Sequence, residues 1–157
     1  MGFAIAEECR RRGAEVVIVA GPVSQTCHKA IRRVDVESCE EMFNAANEAM
    51  DVADIAVMAA AVADYRPAVQ ADKKIKREKT GAMTLDLLPT HDIAAALGAK
   101  KRDGQLLVGF ALETDNAMAN AQEKLVRKNL DMIVVNSLQN EGTCFQSSIG
   151  IKGIKVD

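Results

Sequence analysis

Apolar positions along the chain switch repeatedly between a helical spacing and short extended runs. Over residues 3–12, Phe3, Ile5, Ala6 and Cys9 fall mostly on one helical face, and Gly13 supplies a C-terminal stop. Residues 15–20 form a continuous, largely β-branched run closed by Gly21-Pro22, the pattern of a central strand covered on both faces of a parallel sheet. Ser38 and Glu41 spell a capping box, and Met42, Ala45, Ala46 and Ala49 follow at helical spacing. Residues 53–61 then read as a strand whose small C-terminal residues would let a ligand approach the backbone. Residues 62–67 read as the loop at its carboxyl end.

The alternation continues through the second half. Residues 83–88 alternate well enough for a strand near an edge, and Thr90 or Asp92 can cap a short helix that runs to Leu97 and stops at Gly98. Residues 106–111 form the next buried strand. Thr114 or Asp115 caps a helix through Lys128 with Ala117, Met118, Ala121 and Leu125 inward, and residues 132–135 form another strand. Residues 136–157 are rich in Gly and Ser and carry no assigned element. The expectation is one doubly wound, Rossmann-like α/β domain over residues 1–157 with a mostly parallel sheet, its ligands in the crevice at the strands' carboxyl ends. Opening on a helix is unusual for that architecture, so a first strand is expected to be missing, together with the phosphate-binding turn after it. Neither GxGxxG nor GxxxxGK[ST] occurs in the chain.

Composition narrows the function classes. The formal charge is −2 from 20 basic and 22 acidic residues, which gives no global attraction to nucleic acid or an anionic membrane. With no Trp, one Tyr and four Phe there are few platforms for stacking bases, which argues against nucleic-acid binding. No apolar run approaches a bilayer span and the first residues are too charged for a signal peptide, so neither a membrane partner nor export is expected. The four scattered cysteines show no metal-ligand spacing, which implies a reduced, cytoplasmic chain and no protein-bound metal site.

Any anion site must therefore be local. Lys73, Lys74, Lys76, Arg77 and Lys79 concentrate positive charge as a loop closing over a polyphosphate would, although a solvated surface loop has the same composition. Lys124 and Lys128 lie one helical turn apart, where their repulsion would be relieved by an anion between them; such pairs are also common on polar helix faces. Asp64 could accept ribose hydroxyls or help hold a metal carried by phosphates, or simply shape a turn. Phe110 is placed to pack against a base or to fill the core. His28 and His91 have no partner at catalytic spacing, and the seven methionines read as core filler.

Taken together, Ala59-Ala-Ala-Val-Ala-Asp-Tyr-Arg-Pro67, Lys74-Ile-Lys-Arg77, Val108-Gly-Phe-Ala-Leu-Glu-Thr114 and Lys124-Leu-Val-Arg-Lys-Asn-Leu-Asp131 resemble, in order, the motif series of the phosphopantothenoylcysteine synthetase family. The likeness runs from Met1 to about Asn136 and is greatest to the bacterial form, in which the synthetase is fused to an upstream decarboxylase that uses FMN. The resemblance implies a ligase joining 4'-phosphopantothenate to L-cysteine in coenzyme A biosynthesis. CTP and Mg²⁺ would be consumed and used, and the active species would be a homodimer. It implies that cytosine is read near Met58, Ala59, Ala60 and Phe110, that Asp64 holds ribose, and that Lys74, Lys124 and Lys128 contact the triphosphate. Pro89, Thr90, His91 and Asp92 would line the same pocket, with Lys74 the catalytic cation. In the implied chemistry a substrate carboxylate attacks the α-phosphate to give an acyl cytidylate and pyrophosphate, and the cysteine amine then displaces CMP. Positioning and charge neutralisation are the main demands. Because the family's glycine-rich turn and intermediate-stabilising asparagine precede the point matching Met1, the chain alone is expected to show little synthetase activity. Two rivals remain: a nicotinamide-dependent oxidoreductase, supported by fold analogy alone, and a non-catalytic nucleotide-binding module.

Overall fold

The computed structural model describes residues 1–76, 83–113, 116–137 and 152–155. It is a mixed α/β fold with mostly parallel strands. Helix α1 (Gly2–Arg11) ends where sequence places its stop, with Gly13 at a φ of 93°, a left-handed value that glycine adopts without a Cβ penalty. β1 (Val17–Ala20) pairs in parallel with β2 (Arg32–Asp35). β2 has no expectation behind it, since Arg-Arg-Val-Asp carries almost no apolar signal. Helix α2 (Cys39–Met50) begins at the capping box, with the Ser38 hydroxyl accepting the Glu41 N–H at 3.1 Å and the Glu41 carboxylate accepting the Ser38 and Glu37 N–H groups. Those amide bonds, led by the one from Glu37, hold the Glu41 carboxyl below its usual pKa. Replacing Ser38 with Ala leaves an amide of the first turn without its partner. The expected loss is about 1 kcal/mol, checked as a fall in chemical-denaturation midpoint.

β3 (Ile55–Met58), β6 (Leu106–Glu113) and β7 (Met132–Ser137) form the parallel core of the second sheet, and β8 (Lys152–Lys155) adds antiparallel to β7. Among the described residues no ladder joins β1 to β3. The expectation of β1 as a central strand covered on both faces is therefore corrected: it pairs on one side, and Val17 is exposed. β4 (Tyr65–Pro67) and β5 (Leu87–Pro89) form a separate antiparallel pair. The stretch read as a loop over 62–67 thus contains a short strand, and the one expected over 83–88 begins later. Both are exposed on every residue, so neither has the half-buried alternation that marks a strand in sequence.

Helix α3 (Ile93–Lys100) and helix α4 (Ala117–Arg127) close the core with α2. α3 does not stop at Gly98 but runs through it, and Asp92 rather than Thr90 is its N-cap, accepting the Ala95 N–H at 3.1 Å. α4 is preceded by Asn116, with φ 49°; the expected caps, Thr114 and Asp115, lie outside the described residues. Ala121 and Leu125 face inward as expected, but Met118 is 49% exposed because it follows the outer row that includes Val126. The centre holds Met50, Leu97, Leu107, Leu125, Leu130 and Ile133. Among the described residues one polar side chain is buried: the Gln105 amide donates to the Met50 and Ala53 carbonyls, tying the end of α2 to the start of β6.

Candidate functional site

In parallel α/β folds, ligands collect at the strands' carboxyl ends. Here that rim forms a crevice between Gly21 and Pro22 after β1, Val36 after β2, Ser38 and Met42 of α2, and Val62 beyond β3. Met58 ends β3 and pairs with Gly109, packing partly against the core; Ala59 is half-buried beside it, and Ala60 is exposed. Phe110, next along β6, is half-buried and pairs with Val134.

Two loops are stitched together beside the crevice. The Thr90 hydroxyl donates to the Ala63 carbonyl at 2.6 Å, and the Thr90 N–H donates to the Asp64 carbonyl at 2.9 Å. Pro89 ends β5 opposite Tyr65, so the β4–β5 ladder and these two bonds hold the exposed Asp64 carboxylate next to the segment that launches α3. His91 packs on Phe43 with ring centroids 4.7 Å apart and lies 3.3 Å from the Glu40 carboxylate. Sequence reasoning named His91 but missed Glu40 and Phe43. The capping box puts both in the first turn or so of α2, but nothing along the chain says that this turn meets His91.

Asp92 carries two duties. Besides capping α3, its two oxygens receive Lys128 Nζ at 3.0 and 2.9 Å. Burial works against ionising this carboxylate. The Lys128 hydrogen bond, the Ala95 amide and the charges of Lys128 and Arg127 outweigh it and leave the pKa below its ordinary value. Lys128 sits at the C-cap of α4, one turn beyond the half-buried Lys124. Its backbone lies against Gly98, where a Cβ would fall 1.9 Å from the Lys128 carbonyl oxygen. Asn129, with φ 51°, fixes this approach by donating its amide to the Gly98 carbonyl at 2.8 Å. The structure thus joins Asp64 to Thr90 and Asp92 to Lys128. Lys74 is exposed beyond β4 and among the described residues has no ion-pair partner there; Arg77 and Lys79 lie outside the described residues.

A family model described as the DNA/pantothenate metabolism flavoprotein C-terminal domain matches residues 1–151. One curated relative, a cysteine/cysteine sulfinic acid decarboxylase from an unknown prokaryotic organism, is 53% identical over 146 residues, covering 92% of this chain and 40% of that protein. The coenzyme A biosynthesis bifunctional protein CoaBC of Escherichia coli strain K12 is 42% identical over 149 residues, covering 94% of this chain and 37% of that protein. The crystal structure of a CoaBC C-terminal domain superposes with a TM-score of 0.73 at 38% identity, covering 86% of this chain and 62% of that one. The chain therefore spans about two fifths of the length of these curated relatives, 40% and 37%.

Proposed function

The chain belongs to the DNA/pantothenate metabolism flavoprotein C-terminal domain family, and from that premise we propose that it serves the synthetase step of coenzyme A biosynthesis. It would join 4'-phosphopantothenate to L-cysteine with CTP as the activating nucleotide. The observation that carries this reading is the pair of links, Thr90 to the 63–64 loop and Asp92 to Lys128, which draw three widely separated motif segments to one rim.

The chemistry asked of the protein is modest. A substrate carboxylate is already a nucleophile toward the α-phosphate, so the residues need to align it and disperse the charge that builds on the phosphoryl oxygens. Lys128 and Lys124 approach from α4, and Lys74 would join from the exposed segment after β4. Cytosine would lie against Phe110 and the backbone at 58–60, with Asp64 beside ribose. Among the described residues no group of three or more His, Cys, Asp or Glu side chains could hold a metal ion. Mg²⁺ would enter as an ion carried on triphosphate oxygens, where it would neutralise charge.

The same reading includes a homodimer. Tyr65, Leu87 and Leu88 of the β4–β5 pair are 61%, 52% and 43% exposed, and an isolated two-stranded ladder is marginal in water. A second copy related by a two-fold axis would cover this arm beside Asp64 and Thr90. No helix among the described residues is long and apolar enough to cross a membrane.

Isothermal titration tests the assignment. The chain should bind CTP more tightly than ATP, and Lys124→Ala should weaken CTP binding by about tenfold, the worth of one charge-assisted contact. Equal affinity in the variant would remove Lys124 from the site. Tight NADH binding without CTP binding would favour the oxidoreductase instead.

A further inference from the structure

One cation of this rim, Lys128, is already occupied. Lys128 is 21% exposed in its side chain, and its ammonium spans both oxygens of Asp92, whose own side chain is 48% exposed. The two residues approach from different elements. The Lys128 backbone rests against Gly98, six residues beyond Asp92 and about 9 Å along the axis at helical rise, so the lysine stem runs beside α3 up to its N-terminus. An ammonium has three donors, and a carboxylate that takes it with both oxygens stands in much the way two phosphate oxygens would.

We propose that Asp92 is a displaceable counter-anion: it holds the Lys128 ammonium at the head of α3 until a polyphosphate takes its place, and thereby sets how tightly that polyphosphate binds. This rests on the reading of Lys128 as a phosphate contact. Asp92 is then not a nucleotide ligand but the group against which the nucleotide competes. An incoming polyanion must both pull Lys128 away and tolerate a carboxylate that stays ionised through neutral pH. Each effect lowers affinity and eases release of the pyrophosphate-like product.

The pair can be separated from the helix cap. Asn and Ser cap helices about as well as Asp but carry no charge. Asp92→Asn should therefore keep the unfolding midpoint near wild type while raising affinity for inorganic tripolyphosphate about threefold or more, measured by titration calorimetry at low salt. In a Lys128→Gln background the same substitution should give little gain, because no ammonium is left to release. Asp92→Ser serves as the second variant should the asparagine chain fold poorly. An unchanged or weaker affinity in Asp92→Asn overturns the inference, as does an equal gain in both backgrounds, which would reduce Asp92 to a remote charge. If Lys128→Gln alone leaves tripolyphosphate binding intact, the phosphate reading of Lys128 falls with it. If that variant weakens binding while Asp92→Asn does not strengthen it, the counter-anion idea fails and the site assignment stands.

Discussion

Gly98→Ala should destabilise the chain by about 3 kcal/mol, although alanine is the better helix former. In an exposed helix the exchange would gain about 1 kcal/mol from the unfolded chain's lost freedom and the helix's own preference. Here the new methyl carbon would lie 1.9 Å from the Lys128 carbonyl oxygen and 2.9 Å from its carbonyl carbon. Both are backbone atoms, and no rotamer can swing them aside. The end of α4 would have to move off α3, breaking the Asn129 bond to the Gly98 carbonyl and drawing the Lys128 stem away from Asp92. Urea unfolding checks the stability. A midpoint at or above wild type would show that the α3–α4 approach is looser than described. The same variant should bind phosphate ligands differently from wild type, since Lys128 loses its footing.

The second large effect is expected at Asp131, where β7 begins. Its carboxylate accepts Lys101 Nζ at 2.9 Å with both oxygens and the Leu107 N–H at 2.6 Å, so it links the end of α3, the start of β6 and the entry to β7. Lys101 is 12% exposed in its side chain, and Leu107 is fully buried. Asp131→Ala would strand an ammonium and an amide with no replacement acceptor of equal charge. A loss of about 2–3 kcal/mol follows, below the range for a fully buried pair because Asp131 keeps some access to water. Burial again opposes ionisation, and the bonds from Lys101 and the Leu107 amide prevail, so the folded pKa lies below the ordinary carboxylate value. The sign is that of a depressed acid. Its stabilisation is present above an unfolded value of about 3.9 and is lost as pH falls through the lower folded value. Acid unfolding of Asp131→Asn should therefore be shallower than that of wild type in this window; parallel curves would contradict the linkage.

Helices α1 and α2 were legible in the residues because their signals are local: a glycine stop, a capping box, and an apolar row repeating every turn. Strands β6 and β7 were legible for a similar reason, being β-branched or apolar runs, although β6 buries only its Leu107, Gly109 and Ala111 face and leaves Leu106 and Leu112 exposed. β2 and β4 were not. Arg32 to Asp35 and Tyr65 to Pro67 are mostly exposed and polar at the positions where pattern would have to speak, and their strand geometry comes from a partner elsewhere in the chain. Gly98 was misread for a related reason. A glycine near a helix end signals a stop when only neighbours in sequence are considered, whereas its actual cause is a backbone thirty residues away pressing on the helix.

The sequence alone determined the family, the alternating α/β order and the residue types available at the rim, because each is encoded over a few turns or a short motif. Which of those residues meet was decided by the tertiary structure. Thr90 on the 63–64 loop, His91 between Phe43 and Glu40, and Lys128 on Asp92 are contacts between segments 26 to 51 residues apart. No periodicity reaches that far: such pairings are set by how α2 packs on α3 and β1 while α3 and α4 pack on the β3–β6–β7 sheet, and a single missing side chain at Gly98 fixes the distance between two helices.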